Sequence, residues 1–431
     1  MRFAAVALAI AACHSPEHPR SQATAQTLDV SAGGTLRGVA GDRGGARIFT
    51  AIAAAGHTTI VARTNGAVSW STEVPGGGGP IAAANALVVV TTSAAGGIAI
   101  AGAPRVLRGD PGILAIALDA GTGAIKWVLP LDSGEWAVAS AIAAAGDGVV
   151  IGGSFSGTLR AGAKVVTSAG TADGFVAKLG AAGTVDWIIR MGGPGGDAIT
   201  GVAARGDRIA IAGTFGMDAD LFGQRLVQID DRSPLADAVV AELDLAGALR
   251  WVQTFGGHYD EAVAGVAIDE SGRVAVASNA RGKLAVGSHE LSAQGTGDGL
   301  IAWFGSDGVV GGATLIGGAE FDGVRAICAP EGVSGVVVGG FFSGEVTIGG
   351  HKLNAAGGDD AFLAALDSEG VVTAVWPVSG PGREEIVALA PLAGGFVAAI
   401  AHTAAVAIDR VALPAPADPM TGAAIAVRAA P

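Results

Sequence analysis

The chain has 431 residues, of which half are hydrophobic, only 5% are aromatic and 71 are glycine, and its net charge is −13. An acidic protein of this kind is repelled by phosphate backbones, which argues against nucleic acid as a partner. The abundance of small and β-branched apolar residues favours tightly packed sheets that are covered on both faces.

The chain begins with a short apolar segment that ends at a cysteine. Arg2 supplies one positive charge, and the apolar residues 3–12 are too few to span a bilayer as a helix. The sequence "IAAC" at residues 10–13 resembles the lipobox of bacterial lipoproteins, which implies cleavage before Cys13 and attachment of a diacylglyceryl group to it. The alternative is an ordinary secretory signal in which Cys13 is incidental. Residues 1–12 are predicted to be a lipoprotein signal peptide.

The next segment is polar and contains two prolines. Such a composition predicts a flexible tether, which together with the lipidated cysteine covers residues 13–25. An anchor of more than one acyl chain holds a protein stably at a membrane. We therefore predict a location in the bacterial cell envelope, on the periplasmic or extracellular face, with residues 26–431 forming one domain.

A phrase that ends in tryptophan returns along the chain. A turn glycine precedes it, and successive turn glycines are 57 to 64 residues apart. These glycines are Gly66, Gly123, Gly183, Gly247, Gly308 and Gly370. After Gly308 the tryptophan position is occupied by Gly312. A period near 60 is typical of one four-stranded propeller blade with a long connection.

One period illustrates the predicted strands. The predicted strands of this blade, counted outward from the channel, are a (197–204), b (208–215), c (237–243) and d (248–255). The a–b and c–d turns are short and rich in glycine and aspartate. The b–c connection is long and variable. In a propeller the d–a and b–c loops share one face, where loops usually carry function.

The repeats and the chain ends together give the blade number. Six complete sets of strands cover residues 36–75, 80–132, 135–191, 196–257, 260–318 and 320–380. A seventh set begins at Glu384 and lacks strand d, which the strand-like residues 26–31 can supply. The prediction is an all-β fold, a seven-bladed β-propeller of four-stranded blades, closed by an N-terminal strand that completes the last blade. Six or eight blades remain alternatives, because the first two sets are the most diverged.

Two sets of acidic residues recur at strand starts on the loop-bearing face. The candidate binding rim is Asp197, Glu261, Asp322 and Glu385, and the acids that open strand c are Asp173, Asp237, Asp298 and Asp360. One interpretation is a cation site, with calcium as the candidate, or an electronegative funnel for a basic ligand. The other is structural, because acids at strand entries accept hydrogen bonds from loop amides. Repetition favours the structural interpretation, since a binding site needs one copy; no cofactor is predicted, and any metal is unknown.

The remaining candidates point to packing. The repeated tryptophans are predicted to fill blade edges, and Cys328 is predicted to be a small buried apolar side chain. The sequence contains no GxSxG, HExxH or paired CxxC motif. We therefore predict that the protein is not an enzyme.

Residues 135–380 contain the phrases "GGSFSG" and "ADGFVAKLGAAGTVDW" and their variants. They resemble the bacterial β-propeller repeat family of the SBBP type, common in secreted and lipid-anchored proteins. The phrase "ILAIALDAGTGAIKW" at residues 113–127 is similar to quinoprotein-type propeller repeats, which also occur in a non-catalytic lipoprotein of the outer-membrane assembly machinery. These resemblances imply a fold and no shared activity.

The sequence thus predicts a monomeric, lipid-anchored propeller that acts as a non-catalytic binding or scaffold protein. Its membrane contact is the anchor at Cys13, and its ligand is predicted to be a protein or a polysaccharide. The alternatives are an enzyme that uses the channel mouth, either quinoprotein-like or acting on polysaccharides, and an outer-membrane assembly scaffold.

Overall fold

A computed structural model of the chain describes residues 5–8, 26–29, 34–42, 44, 47–100, 103–106, 110–229, 235–408, 411–415 and 422–428. Cys13 and the predicted tether lie outside the described residues, as does most of the predicted signal peptide. All regular elements in these ranges are β-strands, which confirms the all-β prediction. The described part contains no helix that is long and apolar enough to cross a membrane.

The strands are numbered in chain order, and all ladders between them are antiparallel. A separate pair consists of β1 (Ala5–Leu8) and β2 (Gln26–Asp29). The first large sheet contains β3 (Thr35–Gly41), β4 (Arg47–Ala54), β5 (His57–Thr64) and β6 (Ala67–Pro75). The next segment supplies β7 (Gly77–Ala84), β8 (Leu87–Ala94), β9 (Gly97–Ile100), β10 (Ala103–Val106), β11 (Gly112–Asp119) and β12 (Ile125–Asp132).

Three further segments have the same order of elements. The first has β13 (Ala137–Ala145), β14 (Gly148–Phe155), β15 (Thr158–Ala161), β16 (Lys164–Thr167), β17 (Asp173–Leu179) and β18 (Val185–Gly192). The second has β19 (Asp197–Arg205), β20 (Arg208–Phe215), β21 (Ala219–Leu221), β22 (Gln224–Leu226), β23 (Asp237–Asp244) and β24 (Leu249–Gly257). The third has β25 (Ala262–Ile268), β26 (Val274–Ala280), β27 (Lys283–Val286), β28 (His289–Ser292), β29 (Asp298–Phe304) and β30 (Val310–Gly318).

The last two segments complete the described chain. One contains β31 (Gly323–Cys328), β32 (Val336–Ile348), β33 (His351–Leu366) and β34 (Val372–Ser379). The other contains β35 (Glu384–Leu392), β36 (Gly395–His402), β37 (Val406–Ile408), β38 (Val411–Leu413) and β39 (Gly422–Arg428). The strands predicted at residues 197–255 correspond to β19, β20, β23 and β24, with end differences of one or two residues.

The b–c connections are more regular than the sequence suggested. Five of them contain a β-hairpin whose first arm pairs with the end of strand d in the preceding sheet, as β21 does with β18 and β27 with β24. In the β31–β34 sheet the hairpin is formed by the long ends of β32 and β33, which reach β30. The connection that the sequence showed as long and variable is therefore a repeated β-hairpin that links neighbouring sheets. Its short strands were missed because they show little apolar alternation.

The innermost strands follow one another in a cycle. Each of β3, β7, β13, β19, β25 and β31 contacts the innermost strand of the next sheet, and β35 contacts both β31 and β3. Close approach requires small residues: a Cβ atom on Gly201 would lie 2.9 Å from the Cα of Gly265 in the neighbouring strand. Four-stranded sheets arranged radially in this way define the β-propeller class.

The third strands are the most deeply buried elements. All seven residues of β17 and of β29 are buried, which fits their near-continuous apolar sequences. On the outer strands, tryptophans bridge neighbouring sheets. The indole N–H of Trp187 donates a 3.0 Å hydrogen bond to the carbonyl oxygen of Leu245, and its ring covers Gly247 in the next c–d turn. The prediction that these tryptophans pack is confirmed.

Candidate functional site

The predicted acidic rim is buried. Asp197, Glu261 and Asp322 lie at the starts of inner strands as predicted, but they are only 3%, 2% and 0% exposed. The fourth equivalent residue is Glu384, which pairs in register with His402 as Asp197 does with Phe215 and is 0% exposed. Glu385, assigned by its distance from Gly380, instead has a side chain that is 38% exposed. In this repeat Ser379 occupies the position of Gly192 and Gly380 that of Gly193, so counting from Gly380 shifted the assignment by one residue.

Each buried acid adjoins one acid of the second set. The four pairs join the third strand of one sheet to the inner strand of the next: Asp173 with Asp197, Asp237 with Glu261, Asp298 with Asp322, and Asp360 with Glu384. All eight side chains are buried. The sequence predicted both sets but not their pairing, because the two members of a pair lie on different sheets.

The pairs hold the loops around them. Asp197 accepts hydrogen bonds from the amides of Gly193 at 2.9 Å and Gly216 at 3.2 Å, which fixes the d–a loop to the end of β20. Asp173 accepts hydrogen bonds from the amide of Ala169 at 3.0 Å and from Nη1 of Arg190 at 2.6 Å. These contacts support the structural interpretation of the acids.

Burial also changes the protonation of these carboxyls. Burial raises the pKa of Asp197 to about 6, and burial together with Asp237 raises the pKa of Glu261 to about 8. For Glu384, burial and the neighbouring Asp360 raise the pKa to about 7. Two close carboxylates cannot both ionise cheaply in such surroundings, so the pair of Asp237 and Glu261 retains one proton at neutral pH. Among the described residues, no group of three or more His, Cys, Asp or Glu side chains is placed to hold a metal ion.

A cavity of about 250 Å³ lies at the other end of the channel, near the a–b turns. It is lined mainly by apolar residues from the second halves of the inner strands, among them Ile81, Val202 and Ile327. Arg205 is part of its lining, but its guanidinium is engaged by Glu270 at 2.7 Å. Cys328 also lines this cavity and is buried, as predicted.

The loop-bearing face contains residues that depart from the repeat. At the end of strand b, Arg281 occupies the position of Ser156, Gly216 and Ser343, and Phe341 occupies that of Ser154, Thr214 and Asn279. In the d–a loops, Tyr259 and Phe321 stand where the loop after β18 has Gly195 and Gly196. Arg281 and Phe341 thus replace small or uncharged polar residues in the compared sheets. The loop positions vary more, because Phe321 corresponds to Trp136, Asp260 and Arg383 in other d–a loops and Tyr259 corresponds to Glu320.

A further exposed arginine lies on an inner strand. The inner strands contain a β-bulge, and the bulged residue of β31 is Arg325. The corresponding residue in β3 is also an exposed arginine, Arg37, whereas the other inner strands have Ser140 in β13, Thr200 in β19, Ala264 in β25 and Val387 in β35. Bulges redirect a side chain relative to the ladder. The bulge leaves Arg325 exposed in an otherwise mostly buried strand.

These arginine and aromatic residues come together in space. The rings of Phe321 and Phe341 are 5.4 Å apart, with Arg281 5.7 Å above Phe321 and Arg325 4.8 Å above Phe341. Tyr259 lies against Gly282, where a Cβ atom would be 2.8 Å from its ring. Tyr259 and Phe321 are 45% and 39% exposed. We name Tyr259, Arg281, Phe321, Arg325 and Phe341 the arginine–aromatic cluster.

Sequence reasoning missed this cluster because it followed what the repeats share. For Arg281 and Phe341 the usable signal was the opposite one, namely positions where a single repeat differs from its equivalents. Since a repeated fold needs the same residue at each equivalent position for packing alone, coincident departures point to a local role.

Comparisons with known proteins relate the chain to solved structures only. No family model matches the chain, and no curated protein matches it significantly. It is similar to BamB from Moraxella catarrhalis, with 14% identity over 86% of this chain and 84% of that one and a TM-score of 0.44. The Dos1 propeller is 12% identical over 85% of this chain and 89% of that one, with a TM-score of 0.44. The dihydro-heme d1 dehydrogenase NirN in complex with DHE is 10% identical over 95% of this chain and 73% of that one, with a TM-score of 0.48. At these values the likenesses say nothing about function, and the β-propeller class is assigned from the strand contacts.

Proposed function

We propose that this protein is a lipid-anchored β-propeller of the bacterial cell envelope that binds a partner through the arginine–aromatic cluster and performs no catalysis. The observation that supports this function is that two arginines and three aromatic rings, among them the repeat-breaking Arg281 and Phe341, meet at one place on the loop-bearing face. The rest of the molecule is a regular framework, whose buried carboxyl pairs and bridging tryptophans hold the cluster in position.

A photocrosslinking experiment tests the binding role. A benzophenone amino acid replaces Phe321 in the full-length protein in envelope-containing cells, and the matched control places it at Val309. Val309 is 62% exposed and lies in a c–d turn on the opposite face. We expect discrete adducts from position 321 and none from position 309. Equal labelling from both positions, or none from either, contradicts the proposal.

The nature of the adduct separates the alternatives predicted from the sequence. An outer-membrane assembly scaffold predicts an adduct with a membrane barrel protein. An enzyme at the channel mouth predicts instead that a substrate, rather than a protein, protects position 321 from labelling. A stable protein adduct of another kind supports the binding role as stated.

The proposed anchor is tested separately. With lipidation at Cys13, the protein incorporates labelled palmitate and partitions into detergent, whereas Cys13→Ala abolishes both. An ordinary signal sequence predicts no palmitate label in either protein.

We further propose that the ring has seven blades and that residues 26–31 complete the last one. The cycle of inner-strand contacts from β3 to β35 supports seven blades. In the last sheet β39 pairs with β36, while β2 contacts β39 but forms its ladder with β1. If residues 26–31 are the outer strand, deleting them lowers the melting temperature, and deleting the same number of residues from the tether at 14–25 leaves it unchanged.

A further inference from the structure

We propose that the arginine–aromatic cluster binds an acidic segment of a partner polypeptide, whose carboxylates meet Arg281 and Arg325 while its apolar side chains pack on Tyr259 and Phe321. This inference rests on the proposed binding function and specifies the chemistry of the ligand.

The two arginines are presented in a way that suits carboxylates. Arg281 and Arg325 lie over the faces of Phe321 and Phe341, with the guanidinium carbons 5.7 and 4.8 Å from the ring centroids, as in cation–π contacts. Planar guanidinium and planar carboxylate form parallel hydrogen bonds, and stacking of the guanidinium reduces the entropy lost when they form.

One of the two arginines already has an ion-pair partner within the chain. Oε1 of Glu385 lies 2.9 Å from Nε of Arg325, and both side chains are partly exposed, at 38% and 44%. The second arginine has no such partner. Arg281 is exposed, and within the described part of the chain no carboxylate lies within ion-pair distance of it. A ligand carboxylate can therefore reach Arg281 without displacing an internal one.

The surroundings favour a polypeptide over an acidic polysaccharide. Aromatic residues and arginine are enriched at the centres of protein–protein interfaces. A net charge of −13 repels a uniformly charged polyuronate over its whole length. A short acidic segment flanked by apolar residues avoids most of that repulsion, because salt screens charges beyond about 8 Å. It also supplies the apolar contacts that Tyr259 and Phe321 offer.

The test uses defined polymers as probes of the full-length protein in detergent. Fluorescence anisotropy measures binding of labelled poly(Glu,Tyr) and poly(Lys,Tyr), each prepared as a short oligomer so that little of it lies over the acidic surface, and of polygalacturonate. Arg281→Ser and Phe321→Gly install residues found at equivalent positions of other repeats, so both variants are expected to fold, which their melting temperatures check. Arg225→Ser removes the same charge from an exposed hairpin and serves as the control.

We expect poly(Glu,Tyr) to bind, with affinity reduced about tenfold by Arg281→Ser and by Phe321→Gly, and changed less than about twofold by Arg225→Ser. Equal binding by the wild type and Arg281→Ser overturns the inference, as does the same loss with poly(Lys,Tyr). If polygalacturonate alone shows the Arg281 dependence, the ligand is a glycan and the inference is wrong. Adducts from position 321 without copolymer binding refute the ligand class and leave the binding function standing.

Discussion

Trp303 of β29 lies opposite Gly312 of β30 in the ladder, and its indole covers Gly370 in the turn of the following sheet. In earlier sheets the equivalent turn glycine is covered by a tryptophan on strand d, as Gly308 is by Trp251. Gly312 stands where that strand-d tryptophan is missing. Trp303, which lies on the neighbouring strand directly across the ladder from Gly312, therefore covers the next turn glycine in place of that tryptophan.

This replacement of one tryptophan position by another predicts that a tryptophan at position 312 can compensate for the loss of Trp303. Trp303→Ala is expected to lower the free energy of unfolding by about 3–5 kcal/mol, because a 2% exposed indole is replaced by a cavity. Adding Gly312→Trp is expected to restore part of that loss, since a Cβ atom at Gly312 meets no other atom within 4 Å. Urea unfolding of the single and double variants measures both effects. If Gly312→Trp deepens the loss caused by Trp303→Ala, the two positions are not interchangeable.

The fold was largely predictable because its signals are local. Strands such as β20, short glycine turns and the tryptophan phrase recur within each period, so strand positions follow from the sequence. The Trp303 replacement was not predictable, because it depends on which residues face each other across a ladder. The carboxyl pairs were not predictable for the same reason. Asp237 and Glu261 are both visible in the sequence, but their contact between two sheets is not.

The raised pKa values predict a loss of stability at alkaline pH. A carboxyl whose pKa is higher in the folded protein stabilises it fully below its ordinary pKa, near 4.5 for Glu261, and this contribution is lost as the pH rises through about 8. Between about pH 7 and 9 most other carboxyls are already ionised, and His402, whose pKa is lowered by burial, is neutral. We expect the free energy of unfolding to fall by roughly 1–2 kcal/mol over this range.

Substitutions assign this pH dependence to the pairs. Glu261→Gln removes the titrating group without changing its size, so the variant is expected to lose less stability than the wild type between neutral and alkaline pH. Glu385→Gln changes a partly exposed residue outside the pairs and is expected to follow the wild type. Chemical denaturation at several pH values makes the measurement; identical profiles for wild type and Glu261→Gln rule out this origin.

Calcium is expected to leave the melting temperature unchanged. Calcium takes six to eight oxygen ligands, whereas each carboxyl pair offers only two buried side chains. A ligand that binds only the folded state stabilises it by about 2.7 kcal/mol at a hundredfold excess over its Kd, which a thermal titration detects. A clear rise that disappears in Asp197→Ala or Glu261→Ala shows instead that these acids form a metal site.

The candidate site was predictable only in part. The sequence placed function on the loop-bearing face, and the arginine–aromatic cluster lies there. Its members escaped attention because Arg325 and Phe341 each sit inside a regular strand, where a single substitution has no local signature. Only the β-bulge at Arg325 and the register of Phe341 with Gly323 show that both side chains reach the same surface.

A buried group of ion pairs on the sheet of β19, β20, β23 and β24 gives a prediction about how burial affects the strength of an ion pair. The Glu242 side chain is 1% exposed and bonds to Nε of Arg208 at 2.8 Å and to Nη1 of Arg250 at 3.1 Å. Glu242→Ala leaves both guanidiniums without this partner and is expected to cost about 3–5 kcal/mol. The exposed pair of Arg225 and Asp218 is the control, and Asp218→Ala is expected to cost less than about 1 kcal/mol. Urea unfolding compares the two variants; equal costs would show that burial does not set the strength of these ion pairs.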